Sequence, residues 1–182
     1  MPYGSWIIRE VESPKGFVLS EEEIPVTIGK VDEVVEIELV NEFIIGNIEL
    51  TKVDKDYPDN KLTGAAFEVF ADTNKNGEYD KEDELLGEMS ELGGGIYQMS
   101  ELRYGKYFVR EKTAPEGFVL DENVYTVFIE ENGKTYVVEN EAGKGFVNAP
   151  QSGSLKIVKT SSDGKVEGFS FRVTGANGYD QT

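Results

Sequence analysis

One stretch of this sequence occurs twice, and the repeat constrains the fold more than any other feature. Residues 104–120 read YGKYFVREKTAPEGFVL, residues 3–19 read YGSWIIREVESPKGFVL, and nine of the seventeen positions are identical. A repeat about a hundred residues apart indicates related units of domain size that follow one another along the chain. The 182 residues are therefore expected to hold parts of more than one small domain.

The repeated stretch places a glutamate on an apolar strand face in both copies. Alternate residues of a strand share a face, so Glu111 continues the apolar row of Tyr107 and Val109. In the earlier copy, Glu10 follows Ile8 in the same way. Burial of a carboxylate is costly unless the group is paired or neutralised. A glutamate that recurs at this position is therefore expected to have a chemical task.

Two further repeated segments place a lysine and an asparagine on apolar faces. GNIELTKVD at 46–54 and GSLKIVKTS at 153–161 both read as strands in which a lysine ends the apolar row. EIELVNEF at 36–43 and GFVNAP at 145–150 both place an asparagine two positions after an apolar residue. The two asparagines are separated by the same number of positions as the two lysines, which supports a regular period. In chain order, these polar residues are Asn41, Lys52, Asn148 and Lys159.

The remaining sequence is typical of an all-β fold. Short alternating apolar segments are separated by glycine, asparagine and aspartate, without a convincing helical period. This spacing predicts a sandwich of two antiparallel sheets. Asn132-Gly133 is a favourable hairpin turn, expected to join the last two of these strands. The predicted strands between the repeated segments are 65–71, 85–89, 95–99, 106–112, 124–130 and 135–140.

The order of the repeated segments predicts three domains. A unit that runs from lysine strand through glutamate strand to asparagine strand is complete only within residues 46–150. Residues 1–45 contain the later part of such a unit, and residues 151–182 contain the earlier part. The chain is therefore expected to be an excerpt, with one whole β-sandwich domain between two partial ones.

Charge and composition exclude several classes of function. The net charge of −17 disfavours nucleic acid and anionic membrane surfaces as partners, because few cations are available to neutralise phosphates. The chain has neither histidine nor cysteine, which excludes thiol catalysis, disulfides and metal sites that use those ligands. No apolar run reaches the length of a membrane span. Carboxylate, amide, hydroxyl and amine groups remain for chemistry, and no organic cofactor is predicted.

Lys52, Glu111 and Asn148 come from three separate strands of the predicted complete domain, and each points to its apolar side. Burial favours neutral forms, and a neutral lysine amine is a nucleophile. A protonated Glu111 would polarise the asparagine carbonyl and then pass a proton to the departing nitrogen. The products would be a Lys52–Asn148 amide and ammonia, in a reaction that turns over once. The alternatives are side chains that reach solvent at a sheet edge, or an ordinary buried ion pair.

An acidic loop has the spacing of a calcium site. Residues 72–83 read DTNKNGEYDKED, which matches D-x-[DN]-x-[DN]-G with acidic residues at the ninth and twelfth positions. The last aspartate is shorter than the usual glutamate, and the flanks are strands, so a solvated acidic hairpin tip is the alternative. The predicted ligands are Asp72, Asn74, Asn76, Glu78 through its backbone carbonyl, Asp80 and Asp83.

The segments GNIELTKVD, KLTGAAFEVF, YGKYFVREKTAPEGF and FVNAP together resemble the B-type repeats of collagen-binding adhesins and the SpaA-type pilin domains of Gram-positive surface proteins. The match covers the whole middle unit. It implies Greek-key, prealbumin-like β-sandwich domains, an extracellular location at the cell wall, and a Lys52–Asn148 isopeptide bond formed with the help of Glu111. In the partial units, the same matching implies Glu10, Asn41 and Lys159.

The leading hypothesis is a stalk or spacer module of a cell-wall-anchored adhesin or pilus, with neighbouring repeats as partners and no multiple-turnover activity. A second hypothesis is a module that binds carbohydrate or host matrix protein through aromatic side chains. A third is a glycosidase with paired carboxylates, which is disfavoured because each recurring acid is matched to a lysine and an asparagine. The candidate aromatic residues are Trp6, Tyr57, Tyr79, Tyr97 and Tyr104.

The two partial units are expected to expose unpaired strand edges, which favours strand exchange between chains. Lys159 of one molecule would then meet Glu10 and Asn41 of another and complete a partial domain. The alternative is that both partial units are disordered or belong to longer domains.

Overall fold

The computed structural model describes residues 1–164, 166–175 and 180–182. All the secondary-structure elements assigned within these residues are β-strands, so the prediction of an all-β fold is confirmed. No helix capable of spanning a membrane occurs among them. The chain divides into two compact units, Met1–Gln151 and Ser152–Thr182.

The strands are numbered here in chain order. They are β1 (Gly4–Arg9), β2 (Glu23–Ile28), β3 (Ile45–Asp54), β4 (Ala66–Ala71), β5 (Glu84–Glu88), β6 (Ser90–Gly93), β7 (Ile96–Arg103), β8 (Gly105–Thr113), β9 (Val124–Ile129), β10 (Thr135–Val137), β11 (Phe146–Asn148), β12 (Val173–Thr174) and β13 (Asp180–Gln181).

Strands β3 to β11 form a sandwich of two sheets. One sheet has the order β10-β3-β7-β6, with β11 also paired to β3, and the other has the order β5-β4-β8-β9. The pairs of β10 and β11 with β3 are parallel, and the other strand pairs in these two sheets are antiparallel. The first strand of the domain therefore lies beside its last.

The core between the sheets follows the alternation in the sequence. Leu50 of β3 and Val109 of β8 are fully buried. Phe67 of β4 packs edge-on against the rings of Tyr97 and Phe146, with centroid distances of 5.1 and 5.0 Å. Complete burial of an apolar side chain of this size contributes about 1.5–3 kcal/mol to stability. The polar groups of the candidate site are embedded in this apolar layer.

The turn at Asn132-Gly133 connects the two sheets, so the hairpin predicted there is wrong. Strand β9 pairs with β8 in one sheet, whereas β10 pairs with β3 in the other. Gly133 has a φ of 75° and donates its backbone N–H to Ile45 O at 2.7 Å. Asn132 Oδ1 accepts a hydrogen bond from the Ile45 N–H at 3.0 Å. Both bonds fix the turn to the start of β3, and the chain passes to the other sheet instead of forming a hairpin.

Two segments predicted as strands have no strand assignment. Residues 36–43 and 153–161 form no ladder in the described structure, apart from an isolated bridge between Phe43 and Phe17. A strand is stabilised by hydrogen bonds to a neighbouring strand, and neither segment has such a neighbour here. The sequence periodicity predicts which side chains share an apolar face, but it does not predict whether a neighbouring strand is present.

Residues 1–45 add a small sheet to the sandwich. Strands β1 and β2 pair antiparallel, and the rings of Phe17 and Phe43 stack with their centroids 4.8 Å apart. Gly16 O accepts a hydrogen bond from Ile44 N–H, and Ile44 O accepts one from Tyr104 N–H. This part of the chain is thereby joined to the start of β3 and to the β7–β8 turn.

In the described residues of the unit Ser152–Thr182, β12 and β13 pair antiparallel and form a small sheet. An ion pair between Arg172 and Asp180 supports this pairing. The Lys159 ammonium lies 4.7 Å from the centre of the Phe169 ring. Leu155 and Val158 are each more than two-thirds exposed, at 71% and 72%. The apolar side chains of this segment are thus largely unburied.

Gly145 sets the position of β11 at the point where the chain approaches β3. Its φ is 91°, and a Cβ atom added there would lie 2.7 Å from Thr51 O. Only glycine adopts this backbone conformation without strain, and only a residue without a side chain fits the approach. The contact therefore determines where the residues that follow Gly145 enter the core.

We expect Gly145→Ala to destabilise the domain more than Gly143→Ala. Gly143 also has a positive φ, of 74°, but a Cβ atom there would meet nothing within 4 Å. The difference between the two variants isolates the steric contact, for which overpacking predicts about 1–3 kcal/mol. Chemical denaturation of both variants measures it, and equal losses of stability would contradict the steric role of Thr51.

Candidate functional site

Three polar side chains meet inside the sandwich, and each continues an apolar row. Lys52 follows Leu50 along β3, and Glu111 follows Val109 along β8. The side chains of Lys52 and Glu111 are 0% exposed. Asn148, at the end of β11, is 2% exposed. The structure thus brings together the three residues that the sequence pattern selected from separate strands.

The parallel pairing of β11 with β3 places the asparagine beside the lysine. Phe146 is opposite Lys52, and Asn148 is opposite Asp54. Asn148 O also accepts a hydrogen bond from Lys55 N–H at 3.0 Å. Because alternate residues of a strand share a face, Asn148 lies on the same inward face as Phe146.

The carboxyl group of Glu111 lies between the other two groups. Lys52 Nζ is 3.7 Å from Glu111 Oε1 and donates a hydrogen bond to Phe146 O at 3.1 Å. Asn148 Nδ2 lies 2.9 Å from Glu111 Oε1 and 2.8 Å from Oε2. Asn148 Oδ1 is buried without a hydrogen-bond partner. The amine and the amide therefore flank the same carboxyl oxygen, and the amide carbonyl oxygen is free to accept a hydrogen bond.

Burial shifts both ionisable groups toward their neutral forms. It lowers the pKa of the Lys52 ammonium from 10.5 to about 8, although the neighbouring Glu111 carboxylate opposes the shift. Burial also raises the pKa of the Glu111 carboxyl. Hydrogen bonds from Asp121 N–H and Asn148, together with the charge of Lys52, oppose that rise but do not cancel it. The pair is thus biased toward a free amine beside a protonated acid, compared with the same groups in water.

This arrangement contains the elements of an amide exchange. A free amine is a nucleophile, a protonated carboxyl donates a hydrogen bond to a carbonyl, and the amide of Asn148, beside the same carboxyl group, is the electrophile. Removing one member of a buried ion pair leaves an uncompensated charge in the core. A covalent link between Lys52 and Asn148 would instead remove the lysine charge altogether.

Comparison with known protein families identifies the fold. Residues 46–144 match the family model described as SpaA, prealbumin-like fold domain. The chain belongs to this family. No curated protein sequence matches the chain.

The chain is also similar to two solved structures of bacterial proteins. The Bacillus anthracis TIE protein is 26% identical over 82% of this chain and 26% of its own chain, with a TM-score of 0.66. BcpA, the major pilin subunit of Bacillus cereus, is 27% identical over 74% of this chain and 35% of its own, with a TM-score of 0.44. This chain therefore spans about a quarter of the TIE protein and about a third of BcpA.

A polar network that sequence reasoning missed supports the site of the SpaA domain. Asp121 donates its backbone N–H to Glu111 Oε2 at 2.8 Å. Its side chain accepts hydrogen bonds from Tyr125 at 2.6 Å and from Asn140 at 2.9 Å. Although burial acts in the opposite direction, these bonds hold the pKa of Asp121 below its ordinary value.

Asn140 links this network to the strand that carries the asparagine. Its Nδ2 donates to Val147 O at 2.8 Å, and its Oδ1 accepts from Val147 N–H at 2.7 Å. These two bonds replace a strand neighbour for β11 at the residue before Asn148. Asn140 was predicted to end the strand 135–140, but β10 ends at Val137, and the pairing of Asn140 with Val147 depends on the tertiary structure.

Residues 1–45 contain a glutamate–asparagine pair like that of the SpaA site. Asn41 Nδ2 lies 2.8 Å from Glu10 Oε1 and 2.7 Å from Oε2. Ser20 N–H donates to Glu10 Oε2 at 2.7 Å, as Asp121 N–H does to Glu111. Lys159, the third residue predicted for the partial units, is exposed in the unit Ser152–Thr182.

The acidic loop 72–83 is compact and contains two buried oxygen atoms without partners. These are Asp72 Oδ1 and Asp83 Oδ1. Asn74 and Asn76 both donate their side-chain amides to Asp80 Oδ2, at 3.2 and 2.6 Å. Within the described parts of the chain, no three acidic side chains are arranged as a metal cluster. Any ion here would need amide and backbone oxygens as well as carboxylates, as calcium loops commonly provide.

Ring contacts and a hydrogen bond anchor this loop to the SpaA domain. The Tyr79 ring packs edge-on against Phe70 and Phe108, with centroid distances of 5.0 and 5.8 Å. Lys106 Nζ donates to Gly77 O at 3.3 Å. Order in the loop is therefore coupled to β4 and β8.

The five aromatic residues considered for ligand binding do not form one platform. Tyr97 is buried in the core and Tyr79 packs on the outer face of β4 and β8. Tyr104 packs against Phe128, while Tyr57 is 71% exposed. No observation on these residues favours a carbohydrate or matrix-protein site.

Proposed function

We propose that this chain is part of the stalk of a surface adhesin or pilus, and that its SpaA domain is locked by an isopeptide bond between Lys52 and Asn148. The observation that carries the proposal is the burial of Lys52 and Glu111 beside Asn148, with the amine and the amide on the same carboxyl oxygen. The match of residues 46–144 to the SpaA family supports a role in a surface assembly. The protein is not a multiple-turnover enzyme in this proposal, because the lysine and the asparagine are consumed.

The reaction needs no cofactor, and its atoms balance. Proton transfer from the Lys52 ammonium to Glu111 gives a free amine and a neutral acid. A half-turn of the Asn148 amide brings the unpartnered Oδ1 to the Glu111 hydroxyl, which donates to it while Nζ attacks Cγ. Glu111 then transfers protons from the attacking nitrogen to Nδ2. One C–N bond forms, one breaks, and ammonia leaves.

The position of the bond explains how it would strengthen a stalk. It would join the first strand of the domain to its last, and these strands are parallel. Tension that enters at the start of β3 and leaves after β11 would pass through the crosslink, so the residues between would carry little of it. A chain without cysteine cannot use a disulfide for this purpose.

We expect the intact protein to be one ammonia lighter than its sequence, and Lys52→Ala or Glu111→Ala to restore the calculated mass of each variant. Loss of a crosslink that closes a loop of about a hundred residues should also lower the free energy of unfolding by roughly 4–5 kcal/mol. Intact mass spectrometry and thermal denaturation measure the two effects.

The matched control is Lys55→Ala, which removes an exposed lysine three positions away. This variant should keep both the reduced mass and the stability. The proposal of a Lys52–Asn148 bond is wrong if the wild-type protein has its full calculated mass, or if Glu111→Ala retains the loss of ammonia.

Bond formation should be fastest around neutral pH and slower on both sides. The reactive state shares one proton between the two groups, with a free amine and a protonated acid. Above the Lys52 pKa of about 8 this proton is lost, and Glu111 no longer donates to the amide. Below the raised pKa of Glu111 a second proton is taken up, and Lys52 remains an ammonium.

The rate can be followed on protein recovered unfolded in denaturant and diluted into buffers of different pH. Intact mass spectrometry of quenched samples then measures the loss of ammonia at each time. A rate that continues to rise with pH well above 8 would show that Glu111 does not act as a proton donor.

We also propose that the loop 72–83 binds calcium. The two buried, unpartnered oxygens of Asp72 and Asp83 support this, since a cation would satisfy both. A bound calcium ion would supply positive charge that neutralises the clustered carboxylates. The amides of Asn74 and Asn76 would turn their oxygens inward. The complete set of proposed ligands is Asp72, Asn74, Asn76, Glu78 through its carbonyl, Asp80 and Asp83.

Calcium should raise the melting temperature of the protein, because an ion that binds only the folded state stabilises it with rising concentration. Asp72→Asn should abolish the effect, while Glu82→Gln, a change at an exposed neighbour outside the ligand spacing, should preserve it. Titration calorimetry without heat, together with an unchanged melting curve in chelator, would refute calcium binding.

A further inference from the structure

Asp121 carries a charge beside the crosslinking site that the proposed reaction does not use. The residue is half-buried, and its backbone contacts Glu111. Burial acts to raise the pKa of its carboxyl group, but hydrogen bonds from Asn140, Tyr125 and Asn123 outweigh burial and hold the pKa below the ordinary value. Asp121 is therefore an anion at neutral pH. A charged group held in this way next to a reactive site is a candidate for a role in the reaction.

The backbone and the side chain of Asp121 reach two different partners of the reaction. Its N–H donates to Glu111 Oε2 at 2.8 Å. Its Oδ2 accepts from Asn140 Nδ2 at 2.9 Å, and Asn140 in turn bonds both backbone groups of Val147, the residue before Asn148. One residue thereby ties the acid of the site to the strand that carries the amide.

The glutamate–asparagine pair in residues 1–45 separates these two contacts. Ser20 N–H donates to Glu10 Oε2 from ten positions further along the chain, as Asp121 N–H does to Glu111. Serine has no charge, yet Glu10 still lies beside Asn41. The backbone donor is thus sufficient to orient the glutamate. The carboxylate of Asp121 is additional to that orientation, and its contacts lead to the asparagine strand.

The asparagine strand has few other restraints. It has three residues, and β3 is the one strand that pairs with β11 in the described structure. Its other edge is held by Asn140 and by the bond from Val119 N–H to Ala149 O at 2.9 Å. A displacement of a reacting group by about 1 Å can cost roughly 10²-fold in rate. Loss of the Asn140 contact would therefore slow an attack on Asn148 even in a folded domain.

We propose that Asp121 is a positioning residue of the crosslinking reaction, which orients Glu111 through its N–H and holds Asn148 at the same acid through its carboxylate and Asn140. The proposal rests on the proposed Lys52–Asn148 bond. Asp121 acts through its neighbours, because its hydrogen bonds reach neither the amine nor the amide that react.

The charge of Asp121 also acts on both reactive groups. Burial is the main influence on each, since it lowers the pKa of the Lys52 ammonium and raises that of the Glu111 carboxyl. The negative charge of Asp121 raises both pKa values, because it favours the protonated form of a nearby group. Removing this charge should therefore lower both pKa values and move the pH range of the reaction downward.

Tyr125, Lys55 and Glu141 also lie near Asp121. The Tyr125 hydroxyl, on β9, donates to Asp121 Oδ2 at 2.6 Å. Burial and this bond raise the pKa of Tyr125 to about 12, so the hydroxyl stays neutral around neutral pH. Lys55 and Glu141 line a groove of about 310 Å³ together with Asp121, and they form an ion pair at 4.0 Å. Because their charges offset each other, the electric field at the site depends on Asp121.

Three variants separate the contact from the charge. Asp121→Asn keeps an oxygen that accepts from Asn140 but loses the charge. Asn140→Ala loses the contact but keeps the charge, and Asp121→Ser loses both. All three keep the N–H of position 121 that donates to Glu111. Each protein is unfolded in denaturant and diluted into buffers of different pH, and intact mass spectrometry follows the loss of ammonia.

We expect Asp121→Asn to reach nearly the wild-type maximum rate, with both limbs of its pH profile shifted to lower pH. Asn140→Ala should react at least about tenfold more slowly, with the limbs of the profile in place, because the charge remains. Asp121→Ser should show both effects. A variant that was merely less stable would lose rate without moving the two limbs together.

The matched control is Glu122→Gln, which removes a charge from the exposed neighbour of Asp121. It should change neither the maximum rate nor the pH profile. The positioning role is wrong if Asn140→Ala and Asp121→Ser react as fast as the wild type. The role of the charge is wrong if Asp121→Asn keeps the wild-type profile.

Failure of the proposed function is seen in a different protein, the wild type. A wild-type chain of full calculated mass would overturn both the Lys52–Asn148 bond and the role of Asp121. A wild-type chain that has lost one ammonia, together with variants at position 121 that react as it does, would overturn the role of Asp121 alone.

Discussion

Burial of a lysine next to a glutamate inside an apolar sandwich is the constraint on which the rest of the structure depends. Neither group reaches water, and neither charged form is well solvated where it lies. The domain tolerates this because Glu111 is surrounded by donors, from the Asn148 amide to the Asp121 N–H. The positions of β8, β11 and the segment after β8 are therefore all tied to one carboxyl group.

Alternation along the strands located Lys52, Glu111 and Asn148 because each continues a row of residues that are buried for ordinary apolar reasons. The same rule gives Asn140 no role, although it follows Val138 by two positions, because Asn140 lies beyond the end of β10 and holds β11 through backbone bonds to Val147. The fold class and the positions of these three residues both follow from the alternation of apolar residues along short segments, so both could be predicted from the sequence. Positioning groups outside strands depend on which segments meet, and that information is not local.

The errors in the strand predictions have the same origin. Asn132-Gly133 has the sequence of a hairpin turn, but its bonds to Ile45 direct the chain into the other sheet. Residues 153–161 have the pattern of a strand, yet the described structure offers them no partner. In both cases the local sequence favours the predicted turn or strand. Whether a strand pairs, and with which neighbour, depends instead on a sheet edge formed by residues far away in the sequence.

The parallel pairing of β11 with β3 also determines how length accumulates in a protein built from such domains. The chain enters the sandwich at one end of β3 and leaves β11 at the other. A domain with antiparallel first and last strands would return the chain to its starting side. Here each added domain would carry the chain forward by roughly 30 Å, the length of a ten-residue strand. The number of repeats would then measure the distance to which a surface protein projects.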